Sequence, residues 1–174
     1  MTVADVAREA GVSSVTVFNH FPTKEDLFLD RSDDAVALLR SAVRDRAEGV
    51  DVLRSLHEAF VGLTDSAHPL AGLDERSAPF FRTVAGSPAL VSRARAIAAG
   101  LQDVLAQELT SDERFTGDAR LLAALVISGY GSVLVETARR RTTGESPSEV
   151  VADHRARLEE LLEVLRSGFG SLGA

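Results

Sequence analysis

The sequence predicts an all-α protein in two parts: a helix-turn-helix head followed by a larger helical domain. Three observations predict it. Apolar residues recur at helical spacing along most of the 174 residues, no segment alternates with the period of two that a strand requires, and Ser, Asp, Pro and Gly stand where helices start and stop. The expected division is 1–46 for the head with its linking helix and 47–174 for the second domain. A hydrophobic fraction of 45 % with 26 % charged residues suits a globular chain, not a disordered one.

The first helix places Val3, Val6, Ala7 and Ala10 on one face, and Gly11 follows where a helix end favours a left-handed residue. Val12 is expected to bury itself in the turn, and Ser13 to cap the next helix. That second helix carries Ser14, Val15, Thr16, Asn19 and His20 as hydrogen-bonding or methyl-contacting groups, with Val17 and Phe21 as anchors behind. Asn pairs with adenine, Ser and Thr serve bases or phosphates, and Val can meet a thymine methyl. Two short helices hinged at a glycine are the layout that places a helix in the major groove. Any α-helical hairpin can show a glycine between two apolar stripes, so this pattern alone leaves a purely structural role open.

The match continues. Thr2 to Phe28, with Gly11-Val12-Ser13, Phe18-Asn19-His20-Phe21-Pro22 and Thr23-Lys24-Glu25-Asp26-Leu27-Phe28, closely resembles the DNA-binding segment of TetR-family transcriptional regulators. The resemblance implies a repressor that binds a palindromic double-stranded operator as a homodimer and is released by a small-molecule effector. It brings Thr2, Ser13, Ser14, Val15, Thr16, Phe18, Asn19, His20 and Lys24 into the expected DNA-contact set. Phe18 stands where the family usually has Tyr, so a phosphate-contacting hydroxyl is lost. Pro22 stops the recognition helix, Thr23 caps the next with Asp26 three residues on, and Lys24 lies at a helix start where a phosphate meets both ammonium and free N–H groups. The family's head has a further helix before this motif, whereas Met1 stands directly before Thr2 here. The expectation is that the natural start lies upstream; the alternative is a truncated ligand-binding or protein-interaction dimer that no longer binds DNA.

Beyond the head, one long linking helix is expected from Lys24 to about Ala47, then helices from Asp51 to Ala67, Asp74 to Ala85 and Pro88 to Leu109, and a loop from Thr110 to Gly117. Leu121 through Val135 holds no charged residue. Those fifteen residues, at about 1.5 Å each, fall short of a bilayer core of roughly 30 Å, so no membrane partner is expected. A helix apolar on every side needs cover on every side, and a second subunit supplies it. Gly129, Gly131 and Ser132 would permit close helix approach. The last helix opens with Ser146-Pro147-Ser148-Glu149 and shows Val151, Leu158 and Leu165 seven apart, with Leu161 and Leu162 between, a seam suited to pairing. Helices near 119–141 and 147–167 are therefore the expected homodimer interface; the plainer account is that they complete the monomer core.

His57, Phe60, Phe80, Phe81 and Tyr130 are the candidate effector-binding residues, as the aromatic and hydrogen-bonding groups among aliphatic neighbours in the middle helices. Taken singly, each is better explained by core packing. No enzyme is expected: the four histidines are scattered, and neither a nucleophile elbow nor a phosphate-cradling glycine loop occurs. Without cysteine there is no disulfide or thiolate metal site, no cofactor is called for, and a cytoplasmic location fits. The net charge of −7 excludes a protein that coats nucleic acid over its whole surface. It leaves room for a local reader, because Gly11 to Lys24 contains no acid. Arg139-Arg140-Arg141 is best read as cations at a helix C-terminus ahead of Gly144.

Overall fold

A computed structural model describes residues 3–13, 15–17, 21–74 and 76–170. The described residues form helices α1 (Val3–Glu9), α2 (Ser32–Arg44), α3 (Val52–Asp65), α4 (Ser77–Ala85), α5 (Pro88–Ser111), α6 (Ala119–Thr143) and α7 (Pro147–Gly170), with a 3₁₀ turn at Pro69–Ala71 and no strand. Residues 15–17 are also helical. The fold is all-α, as the sequence predicts.

The N-terminal caps follow from single side chains. Asp51 accepts from the Arg54 amide at 3.0 Å, Ser87 from Leu90 at 3.4 Å, Asp118 from Leu121 at 2.9 Å and Ser146 from Glu149 at 3.3 Å. The Ser146 hydroxyl also donates to Glu149 Oε2 at 2.8 Å.

Helices α2, α3, α5, α6 and α7 close around one core that includes Leu39, Val43, Leu56, Phe60, Leu105, Leu109, Leu122, Val126, Leu158 and Leu162. The C-terminal end of α2 is fixed by two arginines: Arg46 Nη1 and Arg114 Nη2 donate to the Val43 carbonyl at 2.5 and 3.0 Å, meeting an acceptor that a helix end leaves open. Buried Glu108 on α5 holds the same helix by accepting from Arg44 at 2.6 and 2.7 Å and from Arg40 at 3.3 Å.

Three expectations are corrected. The linking helix starts at Ser32, not Lys24; residues 24–28 are turns. Thr23 and Asp26 do form the expected reciprocal cap, with Thr23 N donating to Asp26 Oδ2 at 3.0 Å and Asp26 N to Thr23 Oγ1 at 3.3 Å. Tertiary contacts then override helix continuation, because Arg93 on α5 takes the second Asp26 oxygen at 2.5 Å and Phe28 stacks on Phe80 of α4. Second, the leucine seam of α7 faces inward: Leu158, Leu162 and Leu165 are buried in this chain's own core, against α3 and α6. Third, Val12 is 44 % exposed, so it does not bury itself in the turn.

The 25-residue α6 has the length and composition of a membrane-crossing helix. One side is nevertheless engaged in the bundle through Leu122, Ala123, Val126, Ile127 and Val133, while Leu121, Leu125 and Val135 are exposed along the other. Gly129 lets α7 close onto α6, since a Cβ there would meet Leu161 Cδ1 at 2.4 Å. The close approach it permits is thus within the subunit.

Candidate nucleic-acid interface and ligand cavity

In the head, α1 ends where Gly11 takes φ +67° and the Val12 amide donates back to the Ala7 carbonyl at 3.0 Å. The chain turns sharply there, and Ser13 caps the following helical residues by accepting from Thr16 N at 3.0 Å. Ser13 and Thr16 hydroxyls also bond each other at 2.8 Å. Ala7 and Val17 are buried, and Val15 and Thr16 face outward, Val15 with 67 % exposure.

Of the expected DNA-contact set, Ser13, Val15, Thr16 and Lys24 are described, and all four are exposed. Thr2, Ser14, Phe18, Asn19 and His20 lie outside the described residues. The Lys24 ammonium stands 3.8 Å from Glu25 Oε1 with its side chain 72 % exposed, a loose surface pairing that a phosphate can replace. The arginine run of α6 is engaged within the chain: Arg139 with Glu136, Arg140 with Glu136, Glu145 and Asp153, and Arg141 on the Asp74 carbonyl at 2.7 Å. Arg139 beside Glu136 brings that carboxyl down to about 2.

The candidate effector residues divide into three places. Phe80 and Phe81 line a cavity of about 380 Å³ between residues 28–35, the 3₁₀ turn and α4, α5 and α6. Phe60 and Tyr130 stand in the core beside it, stacked at 4.6 Å with rings 9° apart, and the Tyr130 hydroxyl donates to the carbonyl of cavity-lining Leu70 at 3.2 Å. Burial pushes that phenol's pKa up. His57 lies elsewhere, in a groove with Glu159, Glu160 and Arg166.

The cavity walls are mostly apolar, from Phe28, Leu29, Phe80, Phe81, Ile97, Leu101 and Leu134. Gly72 belongs to the wall: it holds φ +68°, and a Cβ on it would meet Phe81 Cζ at 2.5 Å. Phe28, Ala94, Ile97 and Leu134 are wall residues that periodicity does not distinguish from core positions. Among the described residues no group of three or more His, Asp or Glu side chains is placed to hold a metal ion.

Residues 1–30 match the family model for bacterial regulatory proteins of the tetR family. No curated protein matches the chain. Among solved structures, the chain is similar to a protein from Mesorhizobium loti MAFF303099 described as a TetR-family transcriptional regulator, at 22 % identity and a TM-score of 0.49, over 94 % of this chain and 86 % of that one. The matched segment, residues 1–30, coincides with the head whose glycine turn and capped second helix are described above, and it is this segment that is similar to the tetR family of bacterial regulatory proteins.

Proposed function

We propose that the chain is a cytoplasmic transcriptional repressor that binds a palindromic operator as a homodimer and releases it when a small-molecule effector enters the 380 Å³ cavity. The observation that carries this reading is the head. Its segment matches a regulator family, and its second helix presents Val15 and Thr16 outward while Val17 anchors it. Ser13, Thr16 and Lys24 supply phosphate or base contacts, with Thr2, Ser14, Phe18, Asn19 and His20 joining them.

Homodimerisation is supported by the outer face of α6. Leu121, Leu125 and Val135, with Val164 of α7, are exposed apolar residues, three of them at helical spacing on one stripe. Pairing two such stripes covers them and brings two heads to one face of a duplex. The effector pocket is supported by a cavity within the usual range of about 300–1,000 Å³, with aromatic walls and few polar groups.

A salt-titrated gel shift against the DNA flanking the chain's own gene tests the reading. The expected result is a sequence-specific complex whose affinity falls steeply with salt, because few phosphate contacts from each of two subunits carry it. A dimer that gives no shift at low salt overturns operator binding and leaves the ligand-binding or protein-interaction dimer.

A further inference from the structure

The segment that leads from the head into the bundle is itself a wall of the cavity. Phe28, Leu29, Asp30, Arg31 and Ser32 line it, opposite Phe80, Phe81, Ala94 and Ile97. This stretch is not a rigid helix. Its backbone bonds are short-range, with Asp26 N on Thr23 O at 3.2 Å and the amides of Phe28 and Leu29 on Glu25 O at 3.1 and 2.9 Å. Two side-chain ties hold it to the larger domain. Arg93 Nε donates to Asp26 Oδ1 at 2.5 Å, and the Phe28 ring lies parallel to Phe80 with centroids 5.0 Å apart. Phe80 in turn meets Phe81 edge-on at 5.7 Å.

We infer that this two-point clasp, Phe28 on Phe80 and Asp26 on Arg93, is the element through which occupancy of the cavity reaches the head. A molecule that enters among these aromatic rings competes with Phe28 for Phe80, and loss of the stack leaves the Asp26–Arg93 ion pair as the one of these two ties that remains. The coupling passes through an element with two arrangements, clasped and unclasped, which is the physical requirement for a ligand to shift a remote site. It differs from a lever made of one continuous helix, because the turns at 24–28 cannot transmit a rigid rotation. The inference rests on the proposed effector reading of this cavity and names the residues that would carry its signal.

The test needs no identified ligand. Ala94→Trp places a bulky ring in the cavity from α5, and Phe80→Ala removes the stacking partner. Amide hydrogen exchange of Phe28 and Leu29 reports the clasp, with Val126, Ile127 and Leu158 in the core as references for an intact fold. Both variants should exchange about tenfold faster at 28 and 29, the scale of one aromatic pair, with the core references unchanged. Unaltered exchange at 28 and 29 in a variant with intact core references overturns the clasp; if Ala94→Trp does not fold, Phe80→Ala decides alone. The measurement is made on the free full chain, so a failure of operator binding appears only in the gel shift and leaves this result standing.

Discussion

Thr137 and His154 lock the two longest C-terminal helices together: Thr137 Oγ1 of α6 lies 2.8 Å from His154 Nδ1 of α7, and both residues are buried. The Thr137 hydroxyl donates its own proton to the Val133 carbonyl at 2.9 Å, so the Nδ1–H of a neutral imidazole donates to Thr137. His154 Nε2 is then a bare acceptor, buried without a hydrogen-bond partner among the described residues, with the Tyr130 ring edge-on to the imidazole at 6.3 Å. Such a site resists a positive charge.

That resistance predicts acid sensitivity. Burial lowers the His154 pKa from its usual value of 6.5, opposed in part by the Asp153 carboxylate. The unfolded chain therefore takes up a proton near pH 6.5 that the folded chain refuses. Stability from this group is complete above that pH and declines as pH falls toward the folded value, by at most about 1.4 kcal/mol per pH unit. Urea titrations at pH 7.5 and 5.5 should show a larger loss in the wild type than in His154→Gln. Equal losses would place the acid-sensitive group elsewhere.

Gly72→Ala should destabilise the chain and disturb the cavity together. The left-handed backbone alone costs an alanine about 1–2 kcal/mol, and the new methyl would stand 2.5 Å from Phe81 Cζ. Gly100→Ala is the control. It lies inside α5 with nothing within 4 Å of the added carbon, and should stabilise by roughly 0.5–1 kcal/mol. Thermal melts of both variants check the sign of each change.

Leu125→Glu and Val135→Glu place charges on the exposed stripe of α6 without touching the core, since these side chains are 42 % and 72 % exposed. Light scattering should find monomers where the parent chain is dimeric, with unchanged helical circular dichroism. A dimer that survives both changes would move the interface off this face.

In the head, Lys24→Ala should weaken binding to all DNA sequences alike and lower the salt dependence by about one phosphate contact per subunit. Thr16→Val should instead alter sequence preference, because Thr16 lies on the outward face of the capped second helix. Binding titrations at several salt concentrations against an operator and its single-base variants separate the two. An unchanged preference in Thr16→Val would show that this face does not read bases.

What the sequence determined by itself is local. The helix order, the caps at Asp51, Ser87, Asp118 and Ser146, and the turn at Gly11 follow from interactions within a few residues, each resting on a residue of the right type in the right place along the chain. Tertiary structure decided what depends on partners far along the chain. Thr23 and Asp26 announce a helix start and form that cap, yet Arg93 and Phe80, more than fifty residues away, hold the next residues in turns. Leu158 and Leu165 have the spacing of an outward seam, and periodicity says which residues share a face but not what that face meets. The cavity was half legible for the same reason. Phe80 and Phe81 are marked by type, whereas Ala94, Ile97 and Leu134 became walls only when α5 and α6 packed beside residues 28–35. Local hydrogen bonding is encoded by neighbours in sequence, and the pairing of apolar faces is set by which of several similar surfaces can be buried together.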